Sequence, residues 1–129
     1  MISGHRLEAI STGSGRARST TSSPIPTTID GLWVLLTAND GVLPDQDSEG
    51  RVPVLAQASN GKHYLLVYKS VVKAKQCIAE QQLDDAEPRM IVRGNKDEVI
   101  RVASSGKVAG ALLDFEPATG GYAAIMQLA

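Results

Sequence analysis

The sequence predicts an α+β domain, a mainly antiparallel sheet of about five or six strands with two helices on one face, in the order β-β-β-α-β-α-β-β. Three observations predict it. Short apolar runs of strand length alternate with turn-forming residues. An Asn60-Gly61 pair stands between two of those runs. Two longer segments open on capping residues and carry apolar positions at helical spacing.

The first strand is expected over residues 32–37, an apolar run between Asp30-Gly31 and Asn39-Asp40-Gly41. The second covers residues 52–58, with Pro53 near its start because proline brings no N–H to a ladder. Asn60-Gly61 suits a two-residue type I′ turn. Folding about that pair sets Ala58 opposite His63, Ala56 opposite Leu65 and Val54 opposite Val67, all toward the helices. Ser70 is positioned to cap a helix over residues 71–83, whose Val71, Ala74 and Ile78 form an apolar stripe. A strand over residues 89–93 follows. Asn95, with Glu98 three places on, reads as the cap of a second helix that closes at Gly106. Residues 111–115 and 122–128 supply the last two strands.

Residues 1–29 differ from the rest. They are rich in Ser, Thr, Gly and Pro, and their apolar residues are too sparse to offset about 1–2 kcal/mol of backbone entropy per ordered residue. We expect a disordered tail over 1–29 and a single folded domain over 30–129. The tail holds Arg6, Arg16 and Arg18 against Glu8, a composition faintly like a transit peptide, but it has no apolar core for a secretory signal. Its charges leave ten basic and thirteen acidic residues for the domain. That balance argues against a surface built for nucleic acid or anionic lipid. No apolar run reaches the roughly 18 residues of a membrane span. One cysteine, Cys77, excludes an internal disulfide.

Each chemical motif fails at a position its chemistry requires. Asp45, Asp47 and Glu49 followed by Gly50 resemble the opening of a calcium loop, but Ala56 stands where the bidentate Glu closes the site. The segment reads as a solvated acidic connection. Gly106-Lys107 lacks the first Walker glycine, since Arg101 occupies that place, and Val108 replaces the hydroxyl residue. A Cys-His or Ser-His pair would need His63, because His5 lies in the tail. Lys69, Lys73 and Lys75 lie close after Tyr64 and Tyr68, a mixture that can track nucleic acid. The domain's acidity and its 4% aromatic content favour an ordinary solvated helix face.

The hairpin register leaves Gln57, Tyr64 and Tyr68 on the face away from the helices, and strand alternation adds Trp33. Trp33, Gln57, Tyr64 and Tyr68 are therefore the expected partner-binding residues, since Trp and Tyr dominate binding hot spots. The competing reading makes these aromatics a second layer of core.

Residues 52–117 resemble the N-terminal domain of the bacterial SseB (enhanced serine sensitivity) family. The resemblance rests on Val52-Pro53-Val54, on the strand end and helix entry from Tyr64 to Ser70, and on Gly110 to Phe115 leading into Glu116-Pro117. Tyr68-Lys69 and Asp114-Phe115-Glu116-Pro117 depart from the family pattern. The resemblance implies a small bacterial α+β module without catalytic residues to carry over. The expected function is a non-enzymatic, cytoplasmic regulatory or accessory module that binds another protein, as a monomer or weak homodimer, with no cofactor, nucleic acid or membrane. A small-ligand sensor and an enzyme with an unrecognised site remain the alternatives.

Overall fold

A computed structural model describes residues 6–10, 28–39, 41, 43–58 and 61–128. Among them lie eight strands and two helices: β1 (Arg6–Ile10), β2 (Trp33–Ala38), β3 (Arg51–Pro53), β4 (Leu55–Ala58), β5 (His63–Val67), α1 (Val71–Gln81), β6 (Glu87–Met90), α2 (Arg93–Ser105), β7 (Val108–Leu113) and β8 (Ala124–Met126). The α+β class stands. The strands form two sheets, one ordered β1-β4-β5-β7-β8 and one ordered β3-β2-β6. Two pairings, β1 with β4 and β5 with β7, are parallel, and the other four are antiparallel. Backbone bonds between Trp33 and Tyr68, at 2.8 and 2.9 Å, tie the small sheet to the large one. No described helix is long and apolar enough to cross a membrane.

Two features differ from a tail over 1–29. Arg6–Ile10 runs as a strand beside β4, and Ile29 is buried in the core. Residues 1–5 and 11–27 lie outside the described residues.

The hairpin forms, but its register is shifted by one place from expectation. Leu55 stands opposite Leu65, Ala56 opposite Tyr64 and Gln57 opposite His63. The reason is loop length. Ala58 N–H donates to the Lys62 carbonyl at 2.7 Å, so three residues intervene rather than two. The last of them, Gly61, takes φ +87° and donates to the Ala58 carbonyl, as in hairpins that end on a left-handed glycine. Because side chains alternate with a period of two, one place of slippage turns every β5 residue over relative to β4.

The helices also depart from expectation, lying on opposite faces of the large sheet. Leu55, Leu65, Val67, Ala111 and Leu113 pack with Val99, Val102 and Ala103 of α2. Ala56, Tyr64, Leu66, Tyr68 and Leu112 pack with Ala74 and Cys77 of α1. Consecutive apolar residues in β5 and β7 make both faces apolar, so each face needs its own cover.

Ser70 caps α1 as expected, its hydroxyl accepting the Lys73 N–H at 3.2 Å. Asn95 does not cap α2. It occupies the third helical position, where its Oδ1 accepts the Val92 N–H and its Nδ2 donates to the Met90 carbonyl. Gly106 closes the helix for lack of room rather than for handedness. Its φ is −90°, and a Cβ there would lie 2.7 Å from Leu43 Cδ2.

Candidate functional site at the seam of α1 and β7

The shifted register dissolves the expected binding surface. Tyr64 and Tyr68 are 7% and 2% exposed beneath α1. Gln57 alternates to the other face and is half-buried, and Trp33 is half-buried against the α1-side core. The four residues form no common exposed patch, and Tyr64 and Tyr68 belong to the second layer of core. With both rings enclosed, the lysines of α1 have no neighbouring tyrosine available to stack a base.

Turning Tyr68 inward builds something else. Its hydroxyl donates to the Phe115 carbonyl at 3.0 Å, fixing the turn that follows β7 against the end of β5. Asp114, in that turn, takes a left-handed φ of +55°, which Asp tolerates better than most residues. Its backbone N–H donates to the Val67 carbonyl, and its Oδ1 accepts the Lys69 N–H at 3.0 Å. The carboxylate is buried, with Oδ2 3.7 Å from Lys73 Nζ on the first turn of α1. Between these elements lies a pocket of about 90 Å³ lined by Tyr68, Lys73, Cys77, Glu80, Asp114 and Phe115, among others.

Burial pushes the Cys77 thiol up, and the neighbouring Tyr68 hydroxyl opposes that shift. Burial likewise raises the Tyr68 phenol. Both groups are neutral at physiological pH, and a thiolate is the nucleophilic form of cysteine. His63 stands opposite Gln57 at the start of β5, whereas Cys77 packs with Tyr68 beyond the strand's far end. The structure does not bring the histidine and the cysteine together.

The acidic connection is ordered by its own carboxylates. Asp47 Oδ1 accepts the N–H groups of Glu49 and Arg51, each at 2.8 Å. Asp45 accepts the Gln46 N–H and the Arg101 Nε–H, which together hold its carboxyl below the usual range. Glu49 faces Arg89 at 3.7 Å. These oxygens are turned to backbone and arginine rather than to a common centre. Among the described residues no group of three or more His, Cys, Asp or Glu is placed to hold a metal ion.

An apolar strip lies beside the small sheet. Met90 is paired directly opposite Trp33 and is 38% exposed, and Val92 beyond it is 48% exposed. Neither residue was singled out in the sequence, where a Met-Ile-Val run looks like an ordinary buried strand. Only Ile91 of the three is buried. The open edge of β6 is partly blocked against further pairing. Strand alternation turns the backbone of Pro88 and Met90 toward that edge. Pro88 brings no N–H, and Asn95 occupies the Met90 carbonyl at 3.0 Å. Comparison with protein families, with curated proteins and with solved structures finds no match to this chain.

Proposed function

We propose that this chain is a non-enzymatic protein-binding module, with the strip of Trp33, Met90 and Val92 as its contact surface. The observation that carries the reading is the pairing of a half-buried Trp33 with an exposed Met90, continued by an exposed Val92. Arg93 follows at once and is also exposed. Trp, Met and Arg are the residue types enriched where proteins meet. The guarded edge of β6 supports docking through side chains rather than by addition of a strand. On this reading the partner is a different protein presenting an apolar residue to the Trp33–Met90 pair, and the chain itself is a monomer or weak homodimer. A cytoplasmic, bacterial accessory role of the kind implied by the SseB resemblance completes the proposal.

The test is site-specific photo-crosslinking from position 92 in the native cell, with and without Met90→Asp. The expected result is one dominant crosslinked protein that disappears in Met90→Asp while the melting temperature stays within about 2 °C, since exposed substitutions usually cost under 0.5 kcal/mol. Crosslinking that is unchanged by Met90→Asp would refute the surface.

A further inference from the structure

The pocket between α1 and the turn after β7 leaves a buried charge incompletely answered. The Asp114 side chain is 5% exposed, and its Oδ1 accepts one backbone N–H. Its Oδ2 meets Lys73 Nζ at 3.7 Å, beyond hydrogen-bond distance. An ionised carboxylate offers about four acceptor positions, and a buried charge is costly unless it is both paired and hydrogen-bonded. Room for another donor exists at the same place, since Asp114 and Lys73 both line the pocket. Glu80 joins Asp114 in the lining, so these two carboxylates stand beside the ammonium of Lys73. Lys73, 45% exposed on a flexible stem, is free to swing outward.

We propose that this pocket binds a small primary ammonium ion, which donates a hydrogen bond to Asp114 Oδ2 and displaces Lys73 as its counter-charge. Lys73 is then an internal competitor for the site. The volume of about 90 Å³ suits a group smaller than benzene, which fills a cavity of about 150 Å³. A primary ammonium has three N–H donors for Oδ2 and its neighbours, and a quaternary ammonium has none.

The experiment is a two-dimensional amide NMR titration of the full chain with methylammonium chloride, against sodium chloride at matched ionic strength. Saturable shifts are expected at the amides of Lys69, Cys77, Asp114 and Phe115, and tetramethylammonium should bind at least tenfold more weakly. Lys73→Gln removes the competitor and should bind methylammonium at least threefold more tightly. Asp114→Asn keeps a residue that tolerates the left-handed backbone and should bind at least tenfold more weakly. Should Asp114→Asn lose its fold, Lys73→Gln and the tetramethylammonium comparison decide the matter. Shifts no larger than the sodium control, equal binding of the two ammonium ions, or Lys73→Gln binding no tighter than the unaltered chain would each overturn the proposal.

Discussion

Gly110→Ala tests the closest approach between two strands of the large sheet. Gly110 is buried in β7, and a Cβ built there lies 2.6 Å from the Met126 carbonyl oxygen of β8. Carbon–oxygen contacts between strands normally fall near 3.3–3.6 Å, so β8 would have to retreat by about 0.7 Å. The obstacle is backbone rather than the end of a flexible side chain, and the β7–β8 pairing from Ala111–Met126 to Leu113–Ala124 holds it in place. Forcing extra atoms into a packed site costs about 1–3 kcal/mol. Replacing glycine by alanine within a strand returns about 0.5–1 kcal/mol of backbone entropy. A net loss centred on about 1 kcal/mol and reaching at most about 2.5 kcal/mol is expected, a fall of roughly 5–10 °C in melting temperature for a domain of about this size. The assay is thermal unfolding by circular dichroism, with amide exchange to locate the loosened strands. Gly94→Ala is the control, because nothing lies within 4 Å of a Cβ there and the site is helical. It should raise the melting temperature by a few degrees. If Gly110→Ala melts at or above the unaltered chain, the close approach of β7 and β8 is wrong.

Gln82 ends α1 in the left-handed region at φ +54°, its N–H and that of Leu83 returning to the carbonyls of Ala79 and Ile78. Gln82→Gly should therefore stabilise the domain by about 0.5–1 kcal/mol, since glycine relieves about 1–2 kcal/mol of steric cost but loses more entropy on folding; a lower denaturation midpoint would contradict the geometry. Arg89, 2.8 Å away, then Arg51 hold the Glu87 carboxyl below the usual glutamate range. A depressed folded value means that the stabilisation is present above the unfolded pKa and is lost as pH falls through the folded one. Glu87 is exposed enough to keep the effect on stability small. The sharper readout is the Glu87 carboxyl titration by NMR, whose midpoint should rise in Arg89→Gln; an unmoved midpoint would mean that the ion pair does not form in solution.

How much was legible in the sequence depended on whether a signal was local. The apolar run of β2, the hairpin and the Ser70 cap each rest on a few adjacent residues, and each was readable there. The hairpin register was not, because Asn60-Gly61 fits both a two-residue turn and the end of a three-residue loop. The side on which each helix packs was hidden for a related reason. In Leu65-Leu66-Val67 and Ala111-Leu112-Leu113 the apolar residues are consecutive, so no alternation marks an inside and an outside. Asn95 is equally suited to begin a helix or to reach back to its start, and only the position of Val92 decides between them. The acidic residues at 45–49 were readable as a failed calcium loop, though not as a loop fastened by Arg101 and Arg89. The pocket joins side chains more than thirty residues apart, Lys73 and Asp114, and no local pattern announces it.

One residue of loop length decides where Tyr64 and Tyr68 lie. With two residues between the strands, Tyr64 and Tyr68 would face away from α1, and Trp33, Gln57 and the tyrosines would make an aromatic surface. With three, Tyr68 turns beneath α1 and is buried there. A buried phenol requires a partner, and the Phe115 carbonyl provides it. That bond fixes the turn after β7, and the turn places Asp114 against the first turn of α1 beside Lys73. Met90 and Val92 lie at the margin of the small sheet and stay exposed. The buried tyrosines and the seam beside Asp114 are thus two consequences of one register. A surface reading centred on Tyr64 and Tyr68 cannot coexist with a pocket whose wall is Tyr68.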